Sequence, residues 1–369
     1  MGTSRRRRPR VGIIGAGPAG CAAAIALQNT NARILVFERG KPYKDKPCGD
    51  AFVPAAMDAL QTIGLQAASL EDLGGLPFSS VMFRRATNPG SSLRLDLGDS
   101  RGWVVPRQRI DQRLRDMAAR FSTMLYGHEI TRADPVRESG FRIGFRVDRE
   151  QGTADVDGLI IATGSIGRLS AILGLDGHPV VGASLTQYAR ASVDALHFSF
   201  DEVVQPGYAW VFPMASGRVN LGACGVTVDA NRQLRAAMAR VGRWFETTDF
   251  SRVRAGLAKL WSGRGSCWHH PAGALSCGDA AGLVDPGDGE GISGALTSGH
   301  MAGLALARFL TQGRSVSTLL EYSEWVKAFF RRRYEERARH RVLQHFSPLT
   351  ALQPSEAREE QPPGGSPRL

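Results

Sequence analysis

The sequence predicts an α/β fold, α+β over the whole chain, with a parallel sheet interleaved with an antiparallel one and a helix closing the C-terminal side. Three observations predict it. An apolar run at residues 11–14 ends in Gly15-x-Gly17-x-x-Gly20, passes into an Ala-rich helix, and is followed by a second apolar run, 34–37, that ends in Glu38. Far along the chain, residues 274–277 read as a strand end feeding a loop rich in Gly and Asp and then a helix, from about 291 to near 310. Between these anchors, from about 173 to 268, apolar stretches alternate as antiparallel strands do.

Taken in order, the first strand, glycine loop, helix, second strand and acidic residue form the Rossmann-type dinucleotide-binding fingerprint. Gly15 permits the tight turn, Gly17 lets backbone approach a pyrophosphate, and Gly20 lets helix and strand pack closely. Glu38 would hold the ribose hydroxyls of an adenosine half, and its carboxylate disfavours a 2′-phosphate, so FAD or NAD is the expected nucleotide. Residues 41–50 form a loop of turn formers and charges ahead of a helix over 54–63. Cys48 in that loop serves equally as a cofactor-facing thiol or an inert turn residue. Residues 79–85 and 93–97 read as paired strands. Residues 103–114 run from strand to helix with Arg107 at the junction, where it suits a cofactor edge, a phosphate, open solvent, or a pair with Asp111 at i+4. Strands over 140–147 and 158–162 follow, the second ending in Ala162-Thr-Gly-Ser165.

In the antiparallel region, strands are expected at 196–204, 208–213 and 219–226, and a helix at 231–247. No second GxGxxG occurs there, so a dedicated NAD(P)H domain is not expected. Tyr208, Trp210 and Phe212 alternate and therefore share one face, bounding an apolar pocket or filling plain core. In the loop after residue 277, Asp279 suits sugar hydroxyls, Pro286 stiffens the turn, and the free N–H groups of the helix start favour an anion. Asp285, Asp288 and Glu290 miss the acceptor spacing of a calcium loop, and no metal is expected. Gly294, Ser298 and Ala302 recur every fourth position and give that helix a small face. Residues 318–346 read as a long helix that clamps two lobes or shows a basic face to a membrane, the clamp being favoured. The expected division is a basic arm over 1–9, a discontinuous nucleotide-binding domain over 10–172 and 265–312, an antiparallel substrate domain over 75–105 and 173–264, a helical segment over 313–346, and a disordered tail over 347–369.

Composition narrows the class. The 369 residues are 43% hydrophobic and 22% charged, as in an ordinary globular protein. Five cysteines, at 21, 48, 224, 267 and 277, form no C-x-x-C pair and leave one over, which favours a reducing cytoplasm over a disulfide framework or zinc site. The net charge of +11 gathers at residues 5–8 and 331–341. It fits solvated charge, an anionic membrane touched peripherally, or an anionic substrate. No recognition motif accompanies it, so no nucleic-acid partner is expected. No run of eighteen apolar residues occurs, and the run after the first arginines breaks into glycines too soon for a secretion signal.

Three blocks together resemble the geranylgeranyl reductase family of FAD-dependent oxidoreductases, within the larger aromatic-hydroxylase-like flavoprotein group. They are Gly15-Ala-Gly-Pro-Ala-Gly20 with Glu38, Asp45-Lys-Pro-Cys-Gly-Asp50, and Gly278-Asp-Ala-Ala-Gly282 through Pro286 to Gly289-Glu-Gly-Ile292. Gly207-Tyr-Ala-Trp-Val-Phe-Pro213 and Val219-Asn-Leu-Gly222 look like the family's substrate-sheet signature. The resemblance runs in order over roughly residues 10–345. It implies FAD as cofactor, with Glu38 on the adenosine ribose and Ala19 and Arg39 beside that end. Cys48, Gly49 and Arg107 would lie near the flavin, Gly278 and Asp279 at the ribityl chain, and Pro286, Gly289, Gly291 and Ile292 over the pyrimidine end. Cys48 is the candidate catalytic position, and Tyr208, Trp210 and Phe212 the candidate substrate pocket. The chain departs from the family where Asp50-Ala51-Phe52, rather than a Gly-rich variant, follows Cys48-Gly49.

The implied activity is reduction of a C=C bond in a polyprenyl or other lipophilic small molecule, with NAD(P)H or another donor reducing FAD. The same fold serves monooxygenases that hydroxylate or epoxidise apolar or aromatic metabolites through a flavin hydroperoxide, so fold does not choose between them. The Cys48 loop and the 208–213 block favour the reductase. A halogenase is weaker, because only Trp210 occupies the strand where a tryptophan pair is expected. A flavin-binding redox sensor without turnover is the non-enzymatic alternative.

Overall fold

The computed structural model describes residues 7–42, 45–86, 88–99, 101–136, 140–204, 206–226, 229–265 and 267–339. The expected tail over 347–369, the last turns of the expected helix over 318–346, and most of the basic arm lie outside them.

Val11, Ile13, Ile34, Val36 and Ile160 are β-branched and buried, the composition of parallel strands covered on both faces. Arg10–Ile14 accordingly lies between Gly158–Ile161 and Arg33–Glu38, parallel to both, inside a six-stranded sheet. Ala274–Ser276 adds in parallel beyond Gly158–Ile161 and carries the short His269–His270 antiparallel at that edge. Thr123–Tyr126 extends the other side in parallel. One face of this sheet packs on helices. The other, through Ile14, Phe37, Leu159 and Ile161, packs on a small antiparallel sheet of His128–Pro135, Phe141–Val147 and Glu150–Val156. Of these three strands only the middle one stands out in the sequence. Its neighbours carry polar residues at more than half of their positions and gain their pairing from context.

On the helical face, Ile292–Thr311 presses against Pro18–Ala26. A Cβ at Gly299 would overlap the Ala19 carbonyl, and one at Gly303 would come within 2.6 Å of the Ala23 carbonyl. The close approach thus uses the Gly299 and Gly303 row, one position over from the Gly294, Ser298 and Ala302 row marked by spacing. The latter faces inward: Gly294 abuts the Leu283 carbonyl and the Phe330 ring, and Ser298 Oγ accepts the Gly278 N–H at 2.9 Å.

The second large sheet has seven strands in the spatial order Arg254–Leu260, Val180–Arg190, Arg218–Gly225, Gly207–Met214, Leu196–Phe200, Ser80–Arg85 and Asn88–Asp96. It is not wholly antiparallel, as the sequence suggested: Leu196–Phe200 pairs in parallel with Ser80–Arg85. The two strands come from separate passes of the chain, with no hairpin to impose opposite directions. The strand expected over 196–204 also ends early, giving way to a single turn at Glu202–Val204. Ala230–Trp244 covers one face of the sheet. Tyr208, Trp210 and Phe212 project from the other.

Val316–Arg339 buries Leu319, Tyr322, Val326, Phe330 and Tyr334, the i, i+3, i+4 stripe of an amphipathic helix. Tyr322 donates to the Ser276 carbonyl at 2.8 Å and Tyr334 to the Leu283 carbonyl at 2.7 Å. Trp261, which leaves the seven-stranded sheet, meets the rings of Phe330 and Tyr334, so this helix touches both halves. Among the described residues no helix is long and apolar enough to cross a membrane.

Candidate functional site

A cavity of about 990 Å³ lies between the C-terminal ends of the parallel strands and the aromatic face of the seven-stranded sheet. Parallel α/β sheets place ligands there because the loops leaving the strands diverge and expose helix N-termini.

At one end, Gly15 turns with φ of +108°, and a Cβ on it would overlap the Ala162 carbonyl of the neighbouring strand. Behind it, Gly20 lies so close to the Gly15 carbonyl that a side chain would collide. Pro18 takes the first helical position, where its missing N–H costs nothing. Glu38 accepts the Ala16 N–H at 2.9 Å and the Gly40 N–H at 2.7 Å. Burial pushes this carboxyl upward, but those two N–H groups and the Lys46 ammonium outweigh it and hold its pKa below the usual value. Lys46 Nζ hangs in front of Gly17, 2.9 Å from where a Cβ would stand. Arg115, 2% exposed, donates to the Ala16 carbonyl at 3.1 Å, and its Nη1 has no protein partner.

At the other end, the Cys48–Asp50 turn is fastened from four directions. Asp50 is fully buried at a φ of +62°, a conformation Asp tolerates better than most residues. One carboxylate oxygen accepts the Arg107 N–H at 3.1 Å, and the other accepts Tyr188 O–H at 3.0 Å and Asn220 Nδ2 at 2.8 Å. Asn220 also donates to the Cys48 carbonyl at 2.7 Å, while its own oxygen accepts Thr186 O–H at 2.8 Å and the Trp210 indole N–H at 2.9 Å. Gly49 sits against the aromatic stripe, leaving a Cβ only 2.9 Å from the Phe212 ring. Burial raises Asp50 to about 6, against the pull of Asn220, the Arg107 N–H and Tyr188. The Cys48 thiol is likewise raised by burial, with the Arg107 guanidinium opposing. Arg107 itself is neither solvated nor free: it forms a buried two-pronged pair with Asp111, 2.9 Å on each arm.

The third wall is the loop before Ile292–Thr311. Asp279 lines the cavity and accepts the Ser165 O–H at 2.7 Å, and burial raises its pKa. Tyr208 donates to the Asp288 carbonyl, which ties the loop to the aromatic stripe. Glu290 bonds the N–H and O–H of Ser293, and Arg333 from the C-terminal helix reaches Ser293 Oγ at 2.7 Å. Among the described residues no group of three or more His, Cys, Asp or Glu side chains could hold a metal.

Of the residues marked in the sequence, Gly15, Gly17, Ala19, Glu38, Arg39, Cys48, Gly49, Arg107, Asp279, Gly289, Gly291, Ile292, Tyr208, Trp210 and Phe212 line this one cavity. Gly20, Gly278 and Pro286 do not. Gly20 packs behind the Gly15 turn, and Gly278 is wedged between Ala19 and Ala295. Sequence reasoning gave no role to Lys46, Arg115, Tyr188, Asn220 or Arg254. Lys46 and Asn220 stood inside blocks already quoted, and that was their only signal.

A profile of the pyridine nucleotide-disulphide oxidoreductase family matches residues 9–201. The chain is 31% identical over 330 residues to a menaquinone reductase of Mycolicibacterium smegmatis, covering 83% of this chain and 77% of that one. It is 27% identical over 356 residues to a digeranylgeranylglycerophospholipid reductase of Methanopyrus kandleri, covering 88% and 87%. A geranylgeranyl bacteriochlorophyll reductase-like structure from Thermoplasma acidophilum superposes with a TM-score of 0.80 at 18% identity, over 93% of this chain and 90% of that one.

Proposed function

The chain belongs to the pyridine nucleotide-disulphide oxidoreductase family, among FAD-dependent enzymes of the geranylgeranyl reductase type, and from that premise we propose that it reduces carbon–carbon double bonds of a polyprenyl or other lipophilic substrate. The observation that carries this reading is the apolar half of the cavity. Its wall is Phe198, Tyr208, Trp210 and Phe212, and Ile166 and Ile172, which stand 60% and 70% exposed, also line the cavity. Large apolar side chains left in water around an aromatic-walled cavity suit a long hydrocarbon ligand.

FAD fits the other half. The side-chain-free faces of Gly15 and Gly17, the helix N-terminus at Pro18 and Lys46 in front of Gly17 form an anion cradle suited to a diphosphate. Glu38 and Asp279 supply the carboxylates for ribose and ribityl hydroxyls. Bound and reduced, FAD supplies a hydride. Gly291 and Ile292, at the positive end of a twenty-residue helix, would favour negative charge on the ring edge they cover.

Adding hydride to one carbon of a C=C bond requires a proton on the other. Cys48 Sγ holds it in this reading. Burial keeps the thiol protonated, and the Arg107 guanidinium and the Asp50 N–H beside the sulfur receive the charge left when the proton departs. A thiol lining the reacting cavity also favours a reductase over a monooxygenase, whose oxidant would attack it. NAD(P)H is the proposed donor, entering by the mouth without a domain of its own. The protein would work in the cytoplasm and meet an anionic membrane only peripherally.

The test is anaerobic incubation of the flavin-loaded protein with NAD(P)H and a polyprenyl-chain substrate, read by mass spectrometry. A gain of two hydrogens per reduced bond is expected. A gain of one oxygen under air, with no reduction under argon, would establish the monooxygenase instead. Cys48→Ser should lower turnover about 100-fold while retaining flavin.

A further inference from the structure

Asp50 touches neither the cavity nor any ion-pair partner, yet it gathers more of the molecule than any residue the mechanism uses. Its carboxylate binds the first turn of Arg107–Ala119, Tyr188 of Val180–Arg190 and Asn220 of Arg218–Gly225, and its carbonyl accepts the Val105 N–H at 2.8 Å. The Arg254 guanidinium stacks on the Tyr188 ring at 4.5 Å, pairs with Asp45 and lines the cavity, so a polar chain runs from the cavity wall through Tyr188 to Asp50. The turn that Asp50 ends carries Cys48 and Gly49, and Gly49 rests on Phe212.

We propose that Asp50 is a positioning residue, whose ionised carboxylate draws Tyr188, Asn220 and the start of the Arg107 helix together and so fixes where the Cys48–Gly49 turn stands in the cavity. A proton on Asp50 rearranges this network. An oxygen protonated on the side that accepts Tyr188 and Asn220 donates to Tyr188, which must turn its O–H away to accept; it can still accept Asn220 Nδ2, and Asn220 cannot take the proton because its oxygen is committed to Thr186 and Trp210. The charged or titratable groups facing Asp50 are Arg107 with Asp111 from the helix, Tyr188 and Arg254 from the sheet with Arg218 over the Tyr188 ring, and Asp45, Lys46 and Cys48 from its own loop. The two short strands Ala51–Phe52 and Gly102–Val104 contribute none. Protonation falls near pH 6, since burial raises this carboxyl to about 6. The effect on turnover rests on the function proposed above; the effect on the turn does not.

The experiment compares the full-length flavin-loaded protein with Asp50→Asn, which cannot ionise, and Asp50→Gly, which keeps the positive φ and removes the carboxyl. Bound-flavin absorbance and the thermal midpoint are followed from pH 4 to pH 8. The wild type should show one spectral step near pH 6, matched by a step in its kcat profile, and both variants should lack it, with kcat above pH 7 lower by about tenfold in Asp50→Asn. Tyr188→Phe removes one donor to the carboxylate and should move the step to higher pH. A wild type with no step, or a step retained in Asp50→Asn, overturns the proposal. If Asp50→Gly does not fold, the Asn and Phe variants decide. The gap in thermal midpoint between wild type and Asp50→Asn should change across pH 4 to 7 with or without flavin. A protein that takes up no flavin therefore counts against the proposed function and leaves this reading to be judged by its melts.

Discussion

Glu38, half-buried in the cavity wall, and Asp50, fully buried behind it, are carboxylates whose titrations move in opposite directions. Glu38 stays ionised because it receives two backbone N–H groups and stands near the Lys46 ammonium. Asp50 takes its hydrogen bonds from neutral donors, with the Arg107 guanidinium adding a weaker pull, and burial wins. The comparison extends to the regions around them. The Glu38 end is built by backbone: glycines that admit close approach, strands in register, a helix start. The Asp50 end is built by the side chains of Asp50, Thr186, Tyr188, Trp210 and Asn220, which converge on the Cys48 carbonyl and the Arg107 N–H. A backbone site has its geometry written at short, fixed spacings. A side-chain site exists only once the sheet has assembled.

The largest effect should come from the backbone end. Gly15→Ala forces a Cβ into the Ala162 carbonyl at a φ of +108°, and should cost more than about 4 kcal/mol and abolish flavin retention. Chemical unfolding and flavin absorbance read both; normal flavin binding would break the division drawn here. Next, Asn220→Leu strands the Trp210 N–H, leaves Thr186 O–H only its 3.4 Å contact with the Cys48 carbonyl, and removes one of the two donors to an Asp50 oxygen. It should cost about 3 to 4 kcal/mol in urea melts, with Asp50 titrating higher still.

The pH dependence sharpens the contrast. The folded pKa of Asp50, about 6, lies above its ordinary 3.8, so the native state binds the proton more tightly than the unfolded chain. The stability it contributes is complete below about pH 4 and is lost as pH rises through 6, about 3 kcal/mol for the roughly two-unit difference. Asp50→Asn removes that slope, and melts of both proteins at pH 4 and pH 7 measure it. Glu38, shifted downward, contributes with the opposite sign, losing its stabilisation as pH falls through its folded pKa. The smallest effect is at Glu38 itself: Glu38→Gln keeps the shape and loses the charge, and FAD titration of the apoprotein should show about tenfold weaker binding, ~1.4 kcal/mol.

The same division explains what could be read from the amino-acid sequence. The Gly15–Glu38 fingerprint, the Gly278–Ile292 loop and the one-faced alternation of Tyr208, Trp210 and Phe212 are local patterns, and all three border one cavity. Arg107 left four readings open because its partner in space, Asp111, was only one of several chemically reasonable neighbours. Asn220 looked like an ordinary strand residue, and Asp50 like a departure from a glycine-rich turn. Their pairing depends on the register Phe212 to Asn220 to Tyr188 across three strands, and no periodicity along one strand encodes it. The parallel contact of Leu196–Phe200 with Ser80–Arg85 escaped notice for the same reason.

The order of strands in the six-stranded sheet carries a consequence for how the chain is made. Ala274–Ser276 and the helix Ile292–Thr311 complete a site begun by Arg10–Ile14, and the whole seven-stranded sheet is synthesised in between. A nascent chain leaving the ribosome therefore cannot finish its first half before its second. The glycine loop emerges early and waits, without its closing strand or the helix that packs on Ala19 and Ala23, until residues 274–311 have been made. Cofactor loading then waits on that helix, and chains released before it would be left without a closed site.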